Sequence, residues 1–235
     1  MQSHYRIDDG SIKMYDWAFN DPVDGLAPMT SANKTETKKR LSQQERSKLS
    51  QSKLIAATIE SLIQVGYSQT SIQEICRRAE LSKGGLFRQY PTRTALMIAT
   101  AGSIYEGLLE QYIHRFNRLK GSLDDIELAL TLIRKNFSSP EFQAAMELHV
   151  AARTDKELSL GLKPIQEKNN QKILELSKII FPKQAESHKR FSTLINIIVL
   201  MFQGEAFERG ISSNKKEEKA RFELLEILVR TEFDQ

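Results

Sequence analysis

The sequence predicts an all-α protein. From Leu49 onward apolar residues recur at helical spacing, good N-capping residues stand ahead of those stripes, and no alternating segment of useful strand length interrupts them. Before that point residues 1–33 show no sustained period and carry the breaker pairs Asp9-Gly10, Asp21-Pro22, Asp24-Gly25 and Ala27-Pro28. They read as a largely unstructured arm with one apolar knot, Tyr15, Trp17 and Phe19. Residues 34–53 form a basic approach containing Lys38, Lys39 and Arg40, with Ser42 and Glu45 at capping-box spacing as a possible helix start.

Ile55, Ile59, Leu62 and Ile63 define one face of a first helix that Gly66 ends in a left-handed cap. Thr70 or Ser71 caps a short second helix whose Ile72, Ile75, Cys76 and Ala79 fall on one buried stripe, so Cys76 reads as a small core residue. Glu80-Leu81-Ser82 breaks the chain. Ser82 then caps a third short helix, 83–90, stopped by Pro91. In it Leu86 and Tyr90 face inward and Lys83, Gly84, Gly85, Arg88 and Gln89 face outward. Arginine can donate twice to guanine, glutamine can pair with adenine, and glycines let a helix start approach a duplex closely.

Charge agrees with that placement. Residues 1–33 hold two basic and five acidic groups, residues 34–93 twelve and five, and residues 94–235 twenty and twenty, so the +4 net charge of the 235-residue chain is concentrated in one segment. Clustered cations suit a polyanion, although a solvated basic surface has the same composition.

Residues 52–96, with Gly66-Tyr67, Thr70-Ser71-Ile72, Ile75, Ala79, Leu81-Ser82-Lys83-Gly84, Leu86-Phe87, Tyr90 and Leu96, resemble the N-terminal domain of the tetracycline-repressor (TetR) family of bacterial regulators. That resemblance implies a homodimer of about nine helices: an arm over 1–45 with a basic end, a helix-turn-helix head over 46–93, and an effector-binding and dimerisation body over 94–235. The DNA contacts it points to are Lys48, Thr70, Ser71, Ser82, Lys83, Gly84, Gly85, Phe87, Arg88, Gln89 and Arg93. Three positions depart from the family. Glu80 replaces the usual turn glycine, Phe87 a frequent tyrosine and Gln89 a frequent histidine.

In the body Thr92 caps a long helix to about Lys120, and Ser122 with Asp125, Ser139 before Pro140, Thr154 with Glu157, and Asn214 with Glu217 signal further helix starts. Pro164 should kink or interrupt the segment 155–181. A helix over 183–209 carries Leu194, Ile197, Ile198 and Met201, and the last helix carries Phe222, Leu225 and Val229. The resemblance makes these the dimer contacts, whereas periodicity alone would equally make them core. Polar groups that could meet a small-molecule effector are Tyr105, His149, Arg153, Asp155 and Gln203.

The expected function is a homodimeric repressor that leaves a near-palindromic double-stranded operator when a small molecule binds the body. No catalytic motif, cofactor loop or metal-ligand cluster is present, and His4, His114, His149 and His188 are far apart. No apolar run reaches the roughly 18 residues of a membrane helix and the N-terminus lacks a secretory pattern, so the expectation is a cytoplasmic protein that is not an enzyme. The rival is an all-α enzyme or ligand carrier with no salt-sensitive affinity for DNA. A third reading keeps DNA binding but makes the protein an activator.

Overall fold

The computed structural model describes residues 5–8, 11–14 and 42–234; the Tyr15, Trp17 and Phe19 knot and the basic residues Lys38, Lys39 and Arg40 lie outside them. Two short strands, β1 (Tyr5–Asp8) and β2 (Ser11–Met14), precede ten helices: α1 (Gln43–Gln69), α2 (Ile72–Ala79), α3 (Lys83–Gln89), α4 (Arg93–Leu119), α5 (Asp125–Phe137), α6 (Pro140–Ala152), α7 (Lys156–Ile180), α8 (Pro182–Ser187), α9 (Phe191–Arg209) and α10 (Lys215–Phe233). The class is all-α.

Local chemistry sets most helix starts. Ser42 and Glu45 form a reciprocal capping box at α1, with the Glu45 carboxylate accepting from the Ser42 N–H at 2.6 Å. Ser71, Ser82, Thr92, Ser139 and Asn214 cap α2, α3, α4, α6 and α10. Two caps differ from the sequence reading: Asp124 rather than Ser122 opens α5, and Asp155 rather than Thr154 opens α7. Carboxylates accept strongly from free N–H groups and suit the positive end of the helix dipole.

Two interruptions also differ. Pro164 lies inside α7 without ending it. The lost bond strands the carbonyl of Leu160, a residue that is 66% exposed, where water can replace the missing donor. The single helix expected over 183–209 is split at His188 into α8 and α9.

The arm is a further correction. β1 and β2 pair antiparallel with Tyr5 opposite Met14 and Asp8 opposite Ser11. Ile12 is buried against Leu109, Tyr112, Phe116 and Leu176. Its N–H donates to the Asn117 side-chain oxygen at 2.9 Å and its carbonyl accepts from the Asn117 amide at 2.8 Å, so one side chain of α4 completes the backbone pairing of β2. Tyr5, Ile7, Ile12 and Met14 alternate about Asp9-Gly10, a hairpin pattern.

The main core runs without a break from head to body. Leu54, Ile75, Leu86 and Leu96, from α1, α2, α3 and α4, are fully buried. Each such side chain contributes roughly 1.5–3 kcal/mol on burial. Within the body α4 and α7 run parallel: Ile98 meets residue 161 and residue 102 meets Ile165. A Cβ at Gly161 would stand 2.0 Å from the Ile98 Cδ1, so the close approach of α7 to α4 depends on the missing side chain.

Candidate nucleic-acid interface and effector cavity

The second and third helices form the predicted turn. Glu80 closes α2 in the left-handed conformation, φ 55° and ψ 40°, as the departure from glycine implied. Leu86 anchors α3 in the core, while Ser82, Lys83, Gly84, Phe87 and Arg88 are exposed and Gly85 and Gln89 are half-buried. A side chain at Gly84 would meet nothing closer than the Ser82 hydroxyl at 4.0 Å, so the outer surface of the helix start is open.

Two sets of cations in the head contrast. Arg77 and Arg78 both bind Glu74, whose carboxyl their hydrogen bonds pull down to about 2, and Arg78 also reaches Glu60 at 2.8 Å. Lys48, Lys83 and Arg88 are exposed and make no ion pair among the described residues. Uncommitted cations on an outward helix can neutralise phosphates and read guanine, whereas paired ones would first have to lose a partner.

Three expected contacts are engaged elsewhere. Thr70 is fully buried, its hydroxyl donating to the Gly66 carbonyl at 2.7 Å and lying 3.0 Å from the Ser61 hydroxyl, so it is a structural joint and not a phosphate ligand. Arg93 donates to the carbonyls of Thr70 and Tyr67 at 2.9 and 2.6 Å and stacks 4.1 Å over the Tyr67 ring. Gln89 keeps its amide free but its oxygen already accepts from the Ser47 hydroxyl at 2.8 Å. Ser71 and Ser82 are exposed caps that each accept from a backbone N–H.

Tyr67 links head to body. Its N–H donates to Glu147 of α6 at 2.9 Å and its hydroxyl to Asp155 at the start of α7 at 3.1 Å. The Asp155 carboxyl is held below its ordinary range, first by the Leu158 N–H that it caps and then by Tyr67. No sequence pattern near Tyr67 announces these partners, which are 80 and 88 residues away.

Between α4, α5, α6, α7 and α9 lies a cavity with an empty volume of about 650 Å³, counting the part open to solvent. Leu108, Tyr112, Phe137, Phe142 and Leu176 supply apolar walls, and Tyr105, Asn136, Asn169 and Gln203 supply polar atoms. Two of the five candidate effector contacts, Tyr105 and Gln203, therefore line it. His149 does not; it bonds the Tyr105 hydroxyl through Nε2. Arg153 is exposed at the end of α6, away from this wall, and Asp155 belongs to the joint with Tyr67.

Tyr105 is held from behind that wall by a hydrogen-bond chain. Gln166 donates its amide to Asn170 at 2.8 Å, which turns its oxygen toward Tyr105, and the Tyr105 hydroxyl donates to that oxygen at 3.0 Å. With the tyrosine proton so used, His149 must carry its own proton on Nε2 and donate it. Burial holds His149 below its ordinary pKa and Tyr105 above its own, so both stay neutral at physiological pH.

The dimer assignment needs correction. Leu194, Ile198, Leu225 and Val229 are buried in the protomer's own core, Met201 and Phe222 are partly buried, and only Ile197 of the seven is well exposed. The exposed apolar face of α9 is instead Ile197, Leu200, Phe207 and the following Ile211, and that of α10 is Leu224, Ile227 and Leu228. Helix α9 carries apolar residues both on its core side, at Leu194, Ile198 and Phe202, and on its outer side, at Ile197, Leu200 and Phe207, so periodicity cannot separate the stripe that faces the core from one that is exposed.

Beside this face, Glu205 accepts from Arg134 and Arg209 at 2.8 Å each, and Glu218 from Arg134 at 3.2 Å and Arg209 at 2.8 Å. The network ties α5, α9 and α10 together. Among the described residues no group of three or more His, Cys, Asp or Glu could hold a metal ion, and no helix is long and apolar enough to cross a membrane.

Residues 54–100 match the family model described as bacterial regulatory proteins, tetR family. An uncharacterized HTH-type transcriptional regulator of Mycobacterium tuberculosis is 28% identical over 187 residues, 80% of this chain and 96% of that protein. The HTH-type transcriptional regulator CymR of Pseudomonas putida is 33% identical over 131 residues, 56% of this chain and 64% of CymR. Among solved structures, the reduced form of NemR from E. coli shares the fold at a TM-score of 0.60 and 15% identity, over 77% of this chain and 96% of that one. The outward third helix, its uncommitted cations and these relatives agree: residues 54–100 form a helix-turn-helix domain matching the tetR family of bacterial regulatory proteins, in a chain that is similar over most of its length to HTH-type transcriptional regulators.

Proposed function

We propose that the protein is a homodimeric repressor that binds a near-palindromic operator and is released when a small molecule fills the cavity between α4 and α7. The observation that carries the DNA contact is the outer face of α3, where Lys83 and Arg88 have no ion-pair partner among the described residues and Gly84 leaves the helix start uncovered. Lys48, Ser71, Ser82, Gly85, Phe87 and Gln89 flank that face. Thr70 and Arg93 act one step back by fixing the C-terminal end of α1 against the start of α4.

The exposed apolar stripes of α9 and α10 support twofold pairing into a four-helix interface. Pairing of that kind places two copies of α3 roughly 34 Å apart, one turn of duplex. Release requires only that the ligand bind better to a conformation whose heads are mis-spaced. Genomic fragments captured by the purified protein, then titrated by fluorescence anisotropy over a range of salt, test the reading. Saturable, salt-dependent binding to a palindromic fragment is the expected result; equal affinity for every fragment would refute a sequence-specific operator.

A further inference from the structure

Along the inward side of α7 Leu158, Leu162, Ile165, Asn169, Lys172 and Leu176 follow one another at steps of four and three, a helical stripe in which two members are polar. Lys172 is 3% exposed. The stem is buried while the Nζ, not fully enclosed, opens onto a neighbouring cavity, and an ammonium so shielded from bulk water gains from a paired, hydrogen-bonded anion. Here the partner is loose: Glu106 Oε1 stands 3.6 Å from the Lys172 Nζ and is shared with Lys168 at 3.9 Å. Lys172 donates no hydrogen bond among the described residues, and neither does the Asn169 amide.

Both face open space. A smaller cavity lined by Glu106, Lys168, Asn169 and Lys172 continues the same α4–α7 seam and shares Tyr105, Leu109 and Asn169 with the larger one. The larger chamber has no charged lining residue. The seam is therefore apolar and aromatic at one end and cationic at the other, and Glu106, about half exposed, places a carboxylate where a ligand's carboxylate would go.

From this juxtaposition we infer that the effector is an amphipathic monocarboxylate, with its apolar body among Tyr112, Phe137, Phe142 and Leu176 and its carboxylate on Lys172 and Asn169 in place of Glu106. The inference rests on reading the cavity as the effector site. An amine would meet two lysines, and a diacid would leave its second charge in an uncharged chamber, so both are disfavoured.

Isothermal titration calorimetry on the full chain with 4-phenylbutyrate and 6-phenylhexanoate, each beside its primary amide, tests it. Each acid should bind roughly tenfold to a hundredfold tighter than its amide, the effect of one charge-assisted hydrogen-bonded contact. Lys172→Met should lower the acid to the level of its amide and leave the amide unchanged. Glu106→Gln removes the internal competitor from a half-exposed position, with little risk to folding, and should tighten the acid while leaving the amide alone. Acid and amide binding alike, or discrimination that survives Lys172→Met, would overturn the inference. Amides that bind and release the operator while acids do neither would overturn the ligand class and leave the effector cavity standing. If neither acids, amides nor a wider panel of neutral amphiphiles binds, while operator binding is intact, the cavity reading fails together with the inference.

Discussion

Replacing Gly66 by alanine should destabilise the protein by about 2 kcal/mol, through two separable effects. The backbone at Gly66 has φ 73° and ψ 175°, a region in which a side chain costs roughly 1–3 kcal/mol. The new Cβ would also stand 3.0 Å from Glu147 Oε2. A carboxylate is a flexible end and can swing away, but doing so breaks its 2.9 Å bond from the Tyr67 N–H, worth about 0.5–1.5 kcal/mol. Opposing both, alanine lowers the entropy of the unfolded chain by about 0.4–1 kcal/mol.

For a chain of this size 2 kcal/mol corresponds to a melting temperature lower by roughly 4–8 °C. Circular dichroism melts and urea titrations at matched protein concentration measure it, because the proposed dimerisation would make apparent stability concentration-dependent. The two effects separate in a cycle with Glu147→Ala. If backbone strain dominates, Gly66→Ala costs more than half as much in the Glu147→Ala background as in the parent, and the coupling is about 1 kcal/mol or less. Parent-like stability of Gly66→Ala, within about 0.5 kcal/mol, would refute the argument, since neither the positive φ nor the contact with Glu147 would then matter.

Arg88→Ala should weaken operator binding by about 1–3 kcal/mol and relax preference at one base position, while Lys83→Ala flattens the salt dependence, both read by anisotropy. Leu200→Glu with Ile227→Glu puts charges on exposed apolar stripes and should yield folded monomers in sedimentation experiments, with operator affinity lost; an unchanged dimer would locate the interface elsewhere. Glu80→Gly removes a left-handed penalty of roughly 1–2 kcal/mol but adds unfolded-state entropy, so a gain of about 0.5–1 kcal/mol is expected in urea midpoints. His149 is held below its ordinary pKa by burial, so its contribution is complete above about pH 6.5 and fades as pH falls toward the depressed folded value. His149→Gln should remove that slope below about pH 6.5 from stability–pH curves; an identical slope in the variant would assign it to another group.

The head was legible in the sequence because its information is local. Ser42 with Glu45, Ser82 and Thr92 each cap the helix that follows within three residues, and Leu86 against Lys83 and Arg88 already divides α3 into two faces. What sequence could not give are choices made at long range. Thr70 and Arg93 carry polar groups suited to phosphate, and only Ser61, Gly66 and Tyr67, folded back onto them, show that those groups are occupied. Leu194 and Ile198, expected to face a partner, face the protomer's own core, a distinction periodicity does not make because α9 carries apolar residues on both its inner and its outer side. Two signals were available and unread: Asp9-Gly10 between alternating apolar residues, and Lys172 at an apolar step of α7.

Cavity and head share more than one helix. Helix α4 lines the cavity with Tyr105, Leu108 and Tyr112 and begins at Arg93, which stacks on Tyr67; α6 lines it with Phe142 and one turn later presents Glu147 to the Tyr67 N–H. A ligand that separates α4 from α6 thus strains the joint at Tyr67 from both sides. That joint is made of a stacked guanidinium and a few hydrogen bonds, each worth about 1 kcal/mol net. The continuous apolar core through Leu54, Leu86 and Leu96 is far stronger, so the head moves as one body with the start of α4 rather than unfolding. A joint of this strength matches the 1–3 kcal/mol of coupling that changes affinity about 5- to 150-fold. Under the proposed mechanism the polar contacts at Tyr67 are therefore the part of the head-to-body seam that a ligand strains, and the apolar core sets which parts move together.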